Sequence, residues 1–504
     1  MMITKRSIVF IKTYCLTMAL AILPIILFVP RYVDDYGRGH LGNYAWTKSG
    51  FRPLADWLYW TFNLAGPSTA LAPLGQLASI PISGLAALAI SRSFQVSNPL
   101  LAVAATLPVF VNPYFLENLS YGFDCLSMTA ALSLAIACVV LETHRNLWRQ
   151  WLMTSSGLLA CMLLYQPAFG AYLPLALTAW LWRRTEAESQ TGIKSDPIRS
   201  LVVMLSAPAA SLLMTALMMN LFWHQRTDYA RSSGDLKAPL QLVQDLIASI
   251  LSYLQSLWSE WHNTSLLIVI LLLSLGFILV FVARLRRHLP LTWSVLIAAA
   301  MPVILLCLAP GPMFLLNAVR FSDVPRMNAY IGGLLASLAL PLASWASQQS
   351  RRTISRTAAI TILLTWMWNQ IVFSYAYGHA MQAQREFEQG RLSRLIFDIS
   401  HLDPHRQARI IQFEGSMPMS PLLANTARKF PFINRLVPRM INGSWTWGAH
   451  QLSWYGLELR PAINEPANPA DAARLQNCRN SDTMHCTSEH RILLAGEHLI
   501  VALP

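Results

Sequence analysis

The sequence predicts a mainly α-helical, polytopic membrane protein of about 11 transmembrane helices with a small C-terminal α/β domain. Only 12% of its 504 residues are charged, roughly half the share of an ordinary soluble domain, while 54% are hydrophobic. Apolar runs recur through the first 377 residues, and 24 of the 63 charged residues lie after them. This composition excludes disordered, collagen-like and coiled-coil proteins.

The uneven charge divides the chain into two predicted domains. Residues 1–377 form the membrane domain, and residues 378–504, with 13 basic and 11 acidic side chains, form a soluble domain of near-normal composition. The net charge of +13 belongs mostly to the membrane domain. Basic residues beside spans follow the positive-inside rule, so we expect contact with membrane lipid and no nucleic-acid binding.

Apolar runs predict the individual spans. In chain order they cover residues 8–30, 70–90, 99–111, 121–141, 151–165, 167–182, 199–221, 264–283, 291–308, 327–345 and 357–377. A span needs roughly 17–25 residues, and the third, fifth and sixth runs are short. The break at Tyr165-Gln166-Pro167 favours a tight hairpin of two short spans within 151–182.

Basic residues predict the orientation. With the N-terminus in the cytoplasm, 16 of the 25 basic residues of the membrane domain fall on the cytoplasmic side. The C-terminal domain then lies outside the cytoplasm. The first span has a basic start but no small-x-small cleavage site, so we expect it to remain uncleaved.

Two cysteines of the C-terminal domain predict a disulfide. Cys478 and Cys486 are eight residues apart in a domain expected to face an oxidising compartment. A zinc site with the nearby histidines is the weaker alternative, because no second cysteine pair exists. No Walker loop, dinucleotide-binding turn or His-Glu-x-x-His motif is present, so we predict neither a metal nor a cofactor.

The external side of the predicted spans carries the candidate chemistry. Asp34, Asp35 and Arg38 directly follow the first span. They are either a solvated charged cap or a general base, in which one carboxylate removes a proton from an acceptor hydroxyl. A helix beginning at Pro53 is predicted to lie on the membrane surface. Arg52, directly before this helix, and Asp56 are four residues apart on one face and could bind each other or a headgroup.

Two further external loops offer polar side chains. Glu117 and Asp124 flank the start of the fourth span, where Asp124 either caps the helix or contributes to a site. Arg320 and Arg326 precede the tenth span and could hold phosphate oxygens, or pair with Asp323 or with lipid headgroups.

The C-terminal domain is rich in aromatic residues. A helix over 382–400 and strands over 409–413, 491–494 and 499–503 are predicted. Between them lie four aromatic side chains, which either pack in a core or stack on a sugar: Trp445, Trp447, Trp454 and Tyr455.

Three motifs resemble one known family. They are Asp34-Asp35-Tyr36-x-Arg38, the loop Asn112-Pro-Tyr-Phe-Leu-Glu117-Asn-Leu-Ser-Tyr121-x-Phe-Asp124, and Tyr165-Gln166-Pro167. Over roughly residues 1–380 the chain is similar to the type-specific O-antigen glucosyltransferases, the serotype-converting enzymes of bacteria and their prophages.

The resemblance implies a GT-C-like fold and an inverting membrane glycosyltransferase of the bacterial inner membrane. The implied donor is undecaprenyl-phosphate glucose, made and flipped by separate membrane proteins, and the implied acceptor is lipid-linked O-antigen in the periplasm. Asp34 or Asp35 would then be the base, and Glu117 and Asp124 would orient the sugar hydroxyls or the acceptor. A phosphate contact from Arg320 or Arg326 is a physical expectation rather than a family motif.

A transporter or flippase for a lipid-linked sugar is the alternative function. It predicts charged residues buried in the middle of spans and broken helices in related halves of the chain. The candidate acids instead flank spans on the external side.

Overall fold

The structure, a computed structural model, describes residues 5–44, 46–141, 146–190, 197–223, 239–261, 265–311, 325–349, 353–463 and 468–504. It is 74% helical with a small sheet near the C-terminus, which confirms the predicted fold class at that level.

Twelve α-helices and one 3₁₀ helix precede residue 224 in the described ranges. They are α1 Lys5–Phe28, α2 Asp34–Leu41, α3 Trp46–Gly50, α4 Pro53–Phe62, α5 Leu74–Ser93, α6 Pro99–Thr106, α7 Pro108–Val111, α8 Pro113–Ser120, α9 Cys125–Leu141, α10 Leu147–Tyr165, the 3₁₀ helix Gln166–Ala171, α11 Tyr172–Gln190 and α12 Pro197–Phe222.

The remaining described residues contain nine α-helices, a second 3₁₀ helix and five strands. The helices are α13 Pro239–Trp261, α14 Ser265–Leu285, α15 Leu291–Leu308, the 3₁₀ helix Pro325–Asn328, α16 Ile331–Gln348, α17 Ile354–Leu402, α18 Pro421–Lys429, α19 Ile433–Leu436, α20 Trp447–Ser453 and α21 Pro469–Gln476. The strands are β1 Ile410–Glu414, β2 Arg460–Ala462, β3 Met484–Cys486, β4 Arg491–Ala495 and β5 His498–Ala502.

Asparagine or serine followed by proline begins several of these helices. Asn112 Oδ1 accepts hydrogen bonds from the backbone N–H groups of Tyr114 and Phe115 at the start of α8. Pro113 takes the first helical position, where its missing N–H costs nothing. The same pair of residue types begins α6 at Asn98 and α18 at Ser420.

Eight helices of the described chain are long and apolar enough to cross a membrane, or nine if the bent α6–α8 segment is one span. The helix α9 is apolar but has only 17 residues. These numbers do not confirm the expected count of eleven. The length and apolar composition of these helices are those of membrane-spanning segments.

The expected hairpin within 151–182 differs from the structure. A 3₁₀ helix, Gln166–Ala171, joins α10 to α11, and residues Leu147–Thr185 form one apolar helical stretch of 39 residues. Pro167 is at the start of this 3₁₀ helix, a position that needs no backbone donor, so it changes the helix type without reversing the chain.

The chain divides into two compact units. The first comprises 1–26, 44–66 and 71–375, and the second comprises 27–43, 67–70 and 376–504. In the first unit, the hydroxyl of Ser374 donates a hydrogen bond of 2.7 Å to the backbone oxygen of Ala21, which joins α17 to α1. In the most apolar 18 residues of the segment Pro325–Gln348, 94% of the residues are buried, whereas the corresponding share for α15 is 22%. The helix α16 is therefore central in this unit.

The second unit contains a mixed five-stranded sheet in the order β2-β1-β5-β4-β3. The strand β1 is parallel to β2 and β5, whereas β4 is antiparallel to both β5 and β3. Leu392, Leu395 and Ile399 of α17 pack in one buried cluster with Ile411 of β1 and Val501 of β5. At the far edge of the sheet, Cys478 and Cys486 form a disulfide with a Cα–Cα distance of 6.1 Å.

Candidate active site

The helix α2 carries both aspartates of the first motif, in different surroundings. Asp35 is 2% exposed, and its Oδ2 accepts a hydrogen bond of 2.9 Å from the backbone N–H of Tyr32. Asp34 is partly exposed, and its Oδ1 accepts one of 3.0 Å from the indole Nε1 of Trp447. Asp35 therefore stabilises the start of the helix, and Asp34 is the more exposed of the two carboxylates.

Two glycines let α2 approach α20 closely within the second unit. A Cβ atom on Gly37 would lie 3.0 Å from the ring of His450, and one on Gly39 would lie 2.7 Å from the ring of Trp454. The indole Nε1 of Trp454 also donates a hydrogen bond of 2.9 Å to the backbone oxygen of Tyr36. Gly37 and Gly39 thus form the surface of α2 that packs against His450 and Trp454. This role was not predicted from the sequence.

The imidazole of His450 adds a titratable group close to Asp34. Burial, followed by the charge of His40, lowers the pKa of His450, while Asp34 acts in the opposite direction. Because burial dominates, this imidazole is neutral at pH 7. Arg38 lies in the last turn of the same α2 helix, half-exposed.

In the first unit, Glu117 and Arg326 form the centre of a second polar cluster. Glu117 Oε2 accepts a hydrogen bond of 2.7 Å from the backbone N–H of Arg326, and Oε1 lies 3.8 Å from the Arg326 guanidinium. That guanidinium lies over the ring of Tyr121 at 4.6 Å. The Glu117 side chain is only 7% exposed, so these contacts offset the cost of burying its charge.

The Tyr165-Gln166 pair organises the same region. The Tyr165 hydroxyl donates a hydrogen bond of 2.8 Å to the backbone oxygen of Arg326, and the Arg52 guanidinium lies over the Tyr165 ring at 4.9 Å. The Gln166 amide donates to the backbone oxygens of Gly50, at 2.7 Å, and Phe51, at 3.2 Å. Tyr165 and Gln166 therefore position both Arg52 and Arg326.

Asp56 and Asp124 both contact Trp46. Asp56 accepts hydrogen bonds from the backbone N–H groups of Trp46, at 3.1 Å, and Thr47, at 2.8 Å, at the start of α3. The Trp46 indole donates to Asp124, which directly precedes α9, and stacks on Tyr59 with ring centroids 5.0 Å apart. In the structure both carboxylates hold Trp46 and α3 in place.

Of the predicted site residues, the structure brings Glu117, Arg326 and Arg52 together around Tyr165 and joins Asp56 to Asp124 through Trp46. Asp34, Asp35 and Arg38 share α2. Arg320 lies outside the described residues.

One buried carboxylate was missed by the sequence analysis. Glu260 is 5% exposed and lies near the end of α13. Its carboxylate accepts a hydrogen bond from the hydroxyl of Tyr114. The same hydroxyl oxygen accepts a hydrogen bond of 2.9 Å from the indole Nε1 of Trp261. An acid within a helix whose exposed face is apolar could have indicated it. Within the described ranges, no three His, Cys, Asp or Glu side chains are arranged to hold a metal ion.

Apolar helices long enough to cross a membrane, with buried carboxylate and guanidinium groups beside them, are typical of a membrane protein with a polar site. The family model for the glucosyl transferase GtrII matches residues 6–339, well over half of the chain, and the chain belongs to this family. The resemblance to the O-antigen glucosyltransferases is thereby confirmed, and the protein is a glycosyltransferase.

A relative from Salmonella phage P22 supports the assignment. It is described as an uncharacterized 55.3 kDa protein in the gtrB 5′ region and is 24% identical over 435 residues, 84% of this chain and 85% of the relative. No solved structure matches the chain.

Proposed function

We propose that the protein transfers glucose from undecaprenyl-phosphate glucose to lipid-linked O-antigen at the periplasmic face of the bacterial inner membrane. The observation that carries the proposal is the family match, which covers residues 6–339 and includes all three quoted motifs. The gtrB region of the phage relative supports a role in O-antigen modification. Separate membrane proteins synthesise and flip the donor.

Asp34 is the proposed general base. An acceptor hydroxyl oxygen attacks the anomeric carbon, its proton passes to the Asp34 carboxylate, and the bond from that carbon to the phosphate oxygen breaks with inversion. Undecaprenyl phosphate leaves with the electron pair. The partial exposure of Asp34 favours it over the buried Asp35.

Arg326 is the proposed ligand of the donor phosphate. Its guanidinium is held over Tyr121 and beside Glu117, and a fork of N–H donors matches phosphate oxygens. Arg52 over Tyr165 supplies a second cation, and neutralising the developing charge makes the lipid phosphate a better leaving group. Glu117 orients Arg326, and Asp124 and Asp56 position this region through Trp46. Arg320 and Arg38 remain proposed substrate contacts.

The proposed orientation follows the basic residues, with the N-terminus in the cytoplasm and residues 378–504 in the periplasm. A transporter would place acids in the middle of spans. Glu117 lies in the short helix α8, Asp124 directly precedes α9, and Glu260 is the penultimate residue of α13, which supports transfer over transport.

Carboxylate variants test these roles in cells. We expect Asp34→Asn to lower O-antigen glucosylation by about 10²–10⁴-fold at equal protein level, because it removes the base. Asp35→Asn is expected to lower the amount of folded protein, since it weakens the buried contact with Tyr32. Mass spectrometry of the O-antigen measures the transfer.

The matched control is Asp471→Asn, another first-turn aspartate of the second unit, on α21. It should leave glucosylation unchanged. Full activity of Asp34→Asn, together with a specific loss in Glu117→Gln, would move the base to Glu117.

A further inference from the structure

We propose that Trp445 and Trp447, together with Asp34, form a subsite that binds a pyranose ring of the acceptor polysaccharide. This inference rests on the proposed function, since it names where the acceptor sugar lies. All three residues belong to the second compact unit.

The two indoles stack in parallel, one over the other, and form the aromatic platform of this subsite. Their ring centroids are 5.0 Å apart and their planes differ by 6°, while Trp445 is 47% exposed. The negative face of an aromatic ring attracts the C–H groups on the apolar face of a pyranose. An exposed stack of this size is therefore suited to one sugar ring.

A carboxylate adjoins the platform. The Trp447 indole donates its N–H to Asp34 Oδ1 at 3.0 Å, so the ring that supports the stack also fixes the proposed base. A ring bound on Trp445 needs acceptors for its hydroxyl groups, and Asp34 is an acceptor of that kind.

The platform is held rigidly on its unit. Gly443 lies so close to strand β1 that a Cβ atom would be 2.3 Å from the backbone oxygen of Phe413. Asn442 Oδ1 accepts a hydrogen bond of 2.9 Å from the N–H of Ser444 in the same turn. Because the turn is fixed before binding, little conformational entropy is lost when a sugar stacks on Trp445.

A second exposed indole, Trp454, directly follows α20. Trp454 is 37% exposed, and the guanidinium of Arg31 lies over its ring at 4.1 Å. An indole and a cation beside α2 extend the surface that a longer polysaccharide can contact.

The hydrophobic core of the unit leaves these aromatic residues out. The buried cluster around the sheet contains Ile411, Leu499 and Val501 but neither Trp445 nor Trp447. Tryptophans at a membrane interface also stay exposed. The parallel stack and its hydrogen-bonded carboxylate favour a sugar, which presents an apolar face and hydroxyl groups together.

The test uses the full chain in nanodiscs. Saturation-transfer NMR measures the binding of O polysaccharide to the protein. The polysaccharide is released by mild acid from the lipopolysaccharide of the strain that carries the chain. Wild type should transfer saturation to the sugar ring protons, and Trp445→Ala should lose this signal. Binding is measured without donor, so this experiment gives a result even if the protein transfers no glucose.

Kinetics separate the roles of the two indoles. Trp445→Ala should raise the acceptor KM about tenfold and leave the donor KM within about twofold. Trp447→Phe keeps a ring in the stack but loses the N–H donor, so kcat should fall about tenfold with a smaller change in acceptor KM. Phe397→Ala, which removes another exposed aromatic side chain of this unit, should change neither constant.

An unchanged acceptor KM and an unchanged NMR signal in Trp445→Ala would overturn the subsite. Tryptophan fluorescence would then be measured in bilayers that contain brominated phospholipid. If the lipid quenches the wild type but no longer quenches Trp445→Ala, Trp445 lies at the membrane surface. Wild-type binding of the polysaccharide without any glucose transfer would instead refute the proposed function and leave the subsite standing.

Discussion

At the scale of single residues, Glu388 has a strongly raised pKa and lies outside the apolar part of its helix. It lies in the charged part of α17, beyond the apolar stretch that ends at Tyr377, and burial raises the pKa of its carboxyl to about 7. Hydrogen bonds from the Gln384 amide at 2.9 Å and the Met440 N–H at 3.2 Å, with the charge of Arg439, favour the ionised form without offsetting the burial.

The raised pKa of Glu388 predicts that the free energy of unfolding falls as pH rises. The carboxyl titrates near 4.5 in the unfolded chain and near 7 in the folded one, so the folded state binds the proton more tightly. This stabilisation is fully present below pH 4.5 and is lost as pH rises through 7, an effect on the order of 3 kcal/mol. Thermal unfolding of the purified protein between pH 5 and 8 measures it.

The Glu388→Gln variant should flatten that pH profile. Glu386→Gln, a change of an exposed acid two positions away, is the control and should leave it intact. An identical slope in wild type and Glu388→Gln would show that another group is responsible.

At the scale of elements, the contact of α2 with α20 decides where Asp34 lies. Gly37 and Gly39 face rings of α20 and of the residue that follows it, and the Trp447 N–H then reaches Asp34. Any side chain at position 39 must displace Trp454, whose own N–H is bonded to Tyr36.

Gly39→Ala should destabilise the protein by about 1–3 kcal/mol, because the new Cβ atom would lie 2.7 Å from a rigid indole. It should also lower transfer activity by moving α20 away from Asp34. Gly390→Ala is the matched control, since a Cβ atom there would meet nothing within 4 Å. In the interior of α17 that change should be neutral or stabilising by up to about 1 kcal/mol. Equal melting temperatures for both variants would contradict the packing argument.

Apolar runs and turn residues predicted many of these elements. The helix that begins at Pro53 and the strands near 410, 491 and 498 agree with the structure within a residue or two. The helix α13 was missed because polar residues such as Gln241, Gln244 and Asp245 interrupt the apolar run of this segment of the sequence. Tyr165-Gln166-Pro167 was expected to reverse the chain, since local sequence does not reveal that Gln166 binds backbone 115 residues away.

The sequence indicated which charged residues belong to the candidate site, but it did not indicate which side chains they contact. Asp34, Glu117 and Arg326 stand out because charges are scarce in the membrane region. Their partners Trp447, Tyr165 and Tyr121 come from distant segments or are aromatic, so charge patterning does not indicate them.

At the scale of the whole molecule, the residues proposed to act fall in two separate compact units. The first contains the arginines proposed to hold the donor phosphate, and the second contains Asp34 and the aromatic platform. The unit that includes residues 376–504 also includes 27–43, so α2 belongs with the C-terminal α/β fold. The compositional boundary between residues 377 and 378 stays a prediction.

The most direct test of the central claim is glucose transfer by the purified protein in liposomes. The donors are undecaprenyl-phosphate [¹⁴C]glucose and UDP-[¹⁴C]glucose, and the acceptor is lipid-linked O-antigen. We expect radioactivity in the polysaccharide with the lipid donor only, and a loss of at least about 10²-fold in Asp34→Asn. Transfer from UDP-glucose, or movement of the lipid donor across the bilayer without any transfer, would contradict the account.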